Sequence, residues 1–112
     1  MDHNNLRFGQ RLILPMRRRS ETFDVKIERP KMMLAVTIGF DNQGMVREVF
    51  TAGAKTGSDS EAMLRDACIL LSLGLQYGAP IEVIRGALTR DLDGEASSVV
   101  GKVIDVIAQV ND

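Results

Sequence analysis

Between Glu21 and Phe40 the chain alternates apolar and polar side chains with a period of two, and this narrows its fold more than any other feature. Phe23, Val25 and Ile27 interleave with Thr22, Asp24, Lys26 and Glu28. Successive side chains of a strand point to opposite sides, so such a run suits a strand with one buried and one wet face. Arg29-Pro30-Lys31 breaks the run as a turn. Met32, Leu34, Val36, Ile38 and Phe40 then share a face. The other face, Met33, Ala35, Thr37 and Gly39, is less polar than a fully wet one, which predicts a central strand. Asp41-Asn42-Gln43-Gly44 reads as a hairpin loop, with Gly44 suited to the positive φ that closes it. A third strand is predicted over Val46–Ala52. Its alternation is less regular, because Val46, Phe50 and Ala52 fall on the same face as Glu48.

Beyond Ala52 the period lengthens to that of helices. Ser58-Asp59-Ser60-Glu61 is a capping box: the serine accepts from an amide three residues on and the glutamate reaches back. The helix it opens is predicted to run to about Tyr77, with Asp59, Arg65 and Asp66 in water. From Ala67 to Leu75 it is apolar almost all round, interrupted only by Ser72 and Gly74. A helix like that must be covered on most sides, either by the chain's own sheet and helices or by a dimer interface. Gly78 and Pro80 stop it and start another, carrying Ile81, Ile84 and Leu88. Asp93-Gly94 is a turn, and a last helix from Ser97 or Ser98 sets Val99, Val103, Val106 and Val110 in one stripe. The expected fold is therefore α+β: a three-stranded antiparallel meander followed by three helices, in a single domain.

The 112 residues suit one domain. Residues 1–20 form a basic arm, with Arg7, Arg11, Arg17, Arg18 and Arg19 against Asp2 alone, and residues 21–112 form the body. The lone Cys68 has no intramolecular disulfide partner, which suits a reducing compartment, and its apolar neighbours make it a buried thiol. No stretch is long and apolar enough to span a membrane, and Leu12-Ile13-Leu14 is too short for a secretory signal core. A cytoplasmic location is expected, with no membrane partner.

Three places carry chemistry worth weighing. Lys55, Thr56, Gly57 and Ser58 lie where a strand leads into a helix, and free amides there attract anions. A phosphate or nucleotide would suit them, but the spacing is not that of a P-loop, and a turn with a surface lysine explains the same residues. Arg17, Arg18 and Arg19 could grip phosphates or a protein partner, although no aromatic side chains interleave with them for base stacking. Asp91, Asp93 and Glu95 lack the spacing of a calcium loop. His3 is the single histidine and sits in the arm, so neither a serine–histidine catalytic pair nor a soft-metal site is expected. No catalytic residues, cofactor or metal are assigned.

Gly44-Met45-Val46-Arg47-Glu48-Val49-Phe50, Ala54-Lys55-Thr56-Gly57, Glu61-Ala62, Arg65, Ser72-Leu73-Gly74-Leu75, Gly78 and Ile84 follow one another in an order that resembles the TSCPD domain. That domain occurs at the C-terminus of adenosylcobalamin-dependent ribonucleotide reductases and as small free-standing bacterial proteins. The resemblance covers about Thr22 to Leu88. Ala54 replaces the usual first glycine of the Gly-Lys-x-Gly turn, with Gly53 one place earlier. Thr89-Arg90-Asp91-Leu92-Asp93-Gly94 stands where the cysteine-containing tail would begin, so a redox or metal role of that tail does not carry over. The resemblance implies an accessory module linked to deoxyribonucleotide synthesis, without the catalytic barrel and its radical cysteines. The expected function is that of a non-enzymatic accessory or regulatory module that binds a protein partner and is itself a homodimer. The alternative is nucleotide, phosphate or nucleic-acid binding through Lys55 or the Arg17–Arg19 run.

Overall fold

A computed structural model describes residues 9–29, 31–53 and 58–111. Three strands come first: β1 (Ser20–Glu28), β2 (Lys31–Phe40) and β3 (Val46–Ala52). Three helices follow: α1 (Ser58–Gln76), α2 (Ile81–Ala87) and α3 (Val99–Asn111). The strands form one antiparallel sheet in the order β1-β2-β3, so the α+β meander-then-helices architecture holds.

Alternation decides which side of the sheet is dry. Val25 and Ile27 of β1, and Leu34, Val36, Ile38 and Phe40 of β2, are buried under the helices. Leu64, Cys68, Leu71 and Leu75 of α1 meet them, together with Val103, Ile104 and Ile107 of α3. Each fully buried side chain of this size contributes roughly 1.5–3 kcal/mol. On the opposite side Thr22, Asp24, Lys26, Met33 and Phe50 are exposed.

The irregular phase of β3 has a local cause. Gly39 pairs with Glu48 but Phe40 pairs with Val46, so Arg47 is the extra residue of a β-bulge. The bulge returns Val46 to the core side while Phe50 stays on the open side. Arg47 is thereby aimed at two polar partners: its Nε donates to Asp41 Oδ2 at 2.9 Å and its Nη1 to the Leu75 carbonyl at 2.7 Å.

The end of α1 leaves no carbonyl idle. Ala79 N donates to Gly74 O and Gly78 N to Leu75 O, the Schellman pattern, made affordable by a φ of 104° at Gly78. The Gln76 carbonyl accepts from Leu12 N at 2.8 Å. At the start of α3, Ser98 Oγ caps Gly101 N at 3.0 Å. Arg85 of α2 and Arg90 of the following loop both converge on Asp105 of α3 and hold the helical layer together. Their hydrogen bonds, that from Arg90 the larger, outweigh the opposing effect of burial and bring Asp105 down to about 2.

Candidate functional site

The two outer strands of the sheet end differently. β3 is closed by α1. Ser72 Oγ accepts the Val49 amide at 3.0 Å and donates to the Val49 carbonyl at 3.2 Å, so one hydroxyl satisfies both outward groups of that residue. Gln76 Nε2 donates to the Arg47 carbonyl one step along. Ser72 and Gln76 are buried polar side chains on an otherwise apolar helix face, and these bonds are the reason they sit there.

Residues 9–19 lie against this same region. Arg11 Nε donates to Gln76 Oε1 at 2.6 Å. Arg18 grips Glu48 through Nε and Nη2, both at 2.7 Å, and its Nη1 donates to the Pro15 carbonyl. Glu48 is buried on the open face of the sheet, its carboxylate lying over Gly39, where a Cβ would meet Glu48 Oε2 and displace it. The Arg19 guanidinium lies 3.9 Å from the centre of the Phe40 ring, a cation–π contact. In the neighbouring hairpin, burial raises Asp41, but the hydrogen bonds from Arg47 and the Met45 and Gln43 amides outweigh it and hold its carboxyl below the usual range.

α1 is covered on one side only. Leu64, Cys68, Leu71 and Leu75 are buried, whereas Met63 and Leu70 are 72% and 70% exposed and Tyr77 46%. Met63 and Leu70 stand seven residues apart on one line of α1, and Tyr77 follows at the same spacing just past its last residue. Of the apolar run Ala67–Leu75, only Ile69 and Leu70 are left exposed among the described residues. The sheet presents one dry face, and Ile69 and Leu70 point away from it.

Of the residues singled out by sequence, Lys55, Thr56 and Gly57 lie outside the described residues, and Ser58 is described only as the first residue of α1. Arg17 is exposed, while Arg18 commits its guanidinium to Glu48 and Pro15, and Arg19 to Phe40 and a long 3.8 Å ion pair with Glu21. Cys68 is buried, and burial pushes its thiol up, which keeps it protonated and unreactive. Among the described residues, no His, Cys, Asp or Glu cluster suited to a metal ion is present, and no helix is long and apolar enough to cross a membrane. Sequence reasoning missed the Arg18–Glu48 and Ser72–Val49 contacts. The available signals were Glu48 among apolar residues with Gly39 opposite it, and a serine inside an apolar helical run.

Comparison with known proteins bears on a surface of this kind. The family model of the TSCPD domain matches residues 7–110. The chain belongs to the TSCPD domain family. Among curated proteins this TSCPD chain is similar to a vitamin B12-dependent ribonucleotide reductase of Agrobacterium fabrum (strain C58 / ATCC 33970). The two are 36% identical over 76 residues, which are 68% of this chain and 6% of the reductase. The chain thus spans a small fraction of its relative's length, and the TSCPD domain is linked to ribonucleotide reductase as a minor part of a far larger protein. No solved structure matches.

Proposed function

We propose that this TSCPD chain is a non-enzymatic accessory module that acts by binding a protein partner, and that the partner is a ribonucleotide reductase. The observation that carries this is the exposed pair Met63 and Leu70 on α1, continued by Tyr77 just past its end, on a helix otherwise anchored in the core. A rigid apolar stripe with an aromatic member is the kind of anchor from which binding surfaces draw most of their energy. The choice of partner rests on the likeness to a reductase of which the matching stretch is a small part. Nucleotide or phosphate binding at Lys55–Ser58 ranks below this reading, because the start of a helix attracts anions in general and no second contact in the described structure adds to it. Nucleic-acid binding ranks lower again, since Arg18 and Arg19 are turned to partners in the chain.

Titration of the intact chain onto a purified vitamin B12-dependent ribonucleotide reductase from the same cells is the direct test. Saturable binding at micromolar concentration is expected, weakened about tenfold or more by Leu70→Glu. Absence of binding, or equal binding by the variant, would overturn the proposal.

A further inference from the structure

While one border of the sheet is sealed by α1, no described residue pairs with the backbone of the other. Phe40 N donates to the Arg19 carbonyl at 3.0 Å, and hydrogen-bonding direction alternates along an antiparallel strand. With Arg19 turned towards β2, so are residues 21, 23, 25 and 27. Residues 22, 24 and 26 then aim their amides and carbonyls outwards. Two contacts agree with this phase. Thr22 and Thr37 bring their hydroxyls within 2.8 Å, as side chains do in the close, non-bonded pairs. Val49, opposite Ile38, points away from β2 and needs Ser72. Among the described residues, nothing accepts from or donates to the outward groups of Thr22, Asp24 and Lys26. A nine-residue open border is an invitation to another strand.

We infer that β1 pairs antiparallel with β1 of a second copy of this chain, centred on Val25, to make a continuous six-stranded sheet. The proposal is independent of the docking role assigned to α1.

The sequence of β1 favours both the occupant and the register. Outward residues must face outward residues, which leaves only registers centred on a single residue. Centring on Val25 sets Asp24 of each copy opposite Lys26 of the other on the open face. On the helical side Val25 meets Val25, Phe23 meets Ile27 and Glu21 meets Arg29. Every central pair is then complementary in charge or apolar on both sides. Moving the centre to Asp24 puts two aspartates face to face. Moving it to Lys26 opposes two lysines and sets Asp24 against Glu28. Opposite charges directly across a ladder stabilise it and like charges do the reverse, so charge favours centring on Val25 over the registers centred on Asp24 or Lys26. The present partners of these groups are weak: Lys26–Glu28 at 3.7 Å and Arg19–Glu21 at 3.8 Å, all exposed. There is also room. A mostly polar groove of about 610 Å³ runs beside β1, with Val25 and Ile27 on one side and charged residues such as Arg90, Glu95, Lys102 and Asp105 on the other. Phe23 of a second copy, only partly buried in its own chain, would lie beside it.

Sedimentation velocity over a micromolar concentration series tests the pairing. The unaltered chain should associate to a dimer. Asp24→Lys and Lys26→Asp should each weaken association about tenfold, because each substitution acts twice across the two-fold axis. Asp24→Lys combined with Lys26→Asp should restore it, since the opposite charges face each other again. Both side chains are exposed, so circular dichroism should confirm that all variants fold. A chain that stays monomeric throughout, single variants that associate normally, or a double variant that fails to recover would each overturn the proposal. Leu70→Glu separates this dimer from the docking reading. Association should survive that change, and its loss would move self-association to α1 and remove β1 from the role.

Discussion

The two borders of the sheet have the same backbone chemistry and opposite fates. β3 is sealed: Ser72 takes both outward groups of Val49, Gln76 takes the Arg47 carbonyl, and Arg11 holds Gln76 in turn. β1 leaves Thr22, Asp24 and Lys26 facing outwards and carries alternating charge along the same line. Where α1 covers a strand, polar residues interrupt an apolar helix. Where no described residue pairs with it, acidic and basic residues alternate. The border a small sheet keeps open is thus marked by charge, which resists indiscriminate pairing while still allowing a matched partner.

The contrast can be broken most severely at Ser72. Ser72→Ala leaves a buried amide and carbonyl without partners, and urea denaturation should show a loss of about 2 kcal/mol. Gln76→Leu keeps the volume but strands the Arg47 carbonyl and frees Arg11, with an expected loss of about 1.5 kcal/mol in the same measurement. Asp105→Asn should remove on the order of 1 kcal/mol at neutral pH, once solvent screening is allowed for. The sign with pH follows from Asp105 being held at about 2 when folded, below its ordinary value. Its contribution is complete above about pH 4, falls away as pH drops towards 2, and is missing throughout in the variant, so the two stability curves should converge in acid. The smallest effect is expected on β1 itself. Thr22→Val loses one exposed hydroxyl contact and gains strand preference, and stability should change by no more than about 0.5 kcal/mol. Amide exchange sharpens the comparison without mutation. In dilute solution Thr22, Asp24 and Lys26 should exchange faster than Phe23 and Val25, and they should become protected where the chain dimerises.

The strands and helices were legible because they are local. Alternation from Phe23 to Ile27 and from Met32 to Phe40 marks β1 and β2, and glycines 44, 78 and 94 take the positive φ their turns require. The contacts that decide the surface join residues far apart. Arg18 and Glu48 are 30 positions apart and Arg11 and Gln76 are 65 apart, and no period in the chain announces either. The bulge at Arg47 is subtler. The mismatch between Val46 and Phe50 was visible in the sequence, but its resolution depends on the partner strand. The one-sidedness of α1 was hidden for a related reason. Composition shows that Leu70 and Leu71 are equally apolar, and only the position of the sheet tells which of them is dry.

The hydroxyl of Ser72 has a further effect that its contribution to stability does not capture. Because it bonds the amide and carbonyl of one residue, α1 cannot roll about its long axis without surrendering both. The azimuth of Met63, Leu70 and Tyr77 is locked to the register of a strand on the far side of the helix. An incoming surface would meet side chains already aimed and would spend little entropy on orienting them.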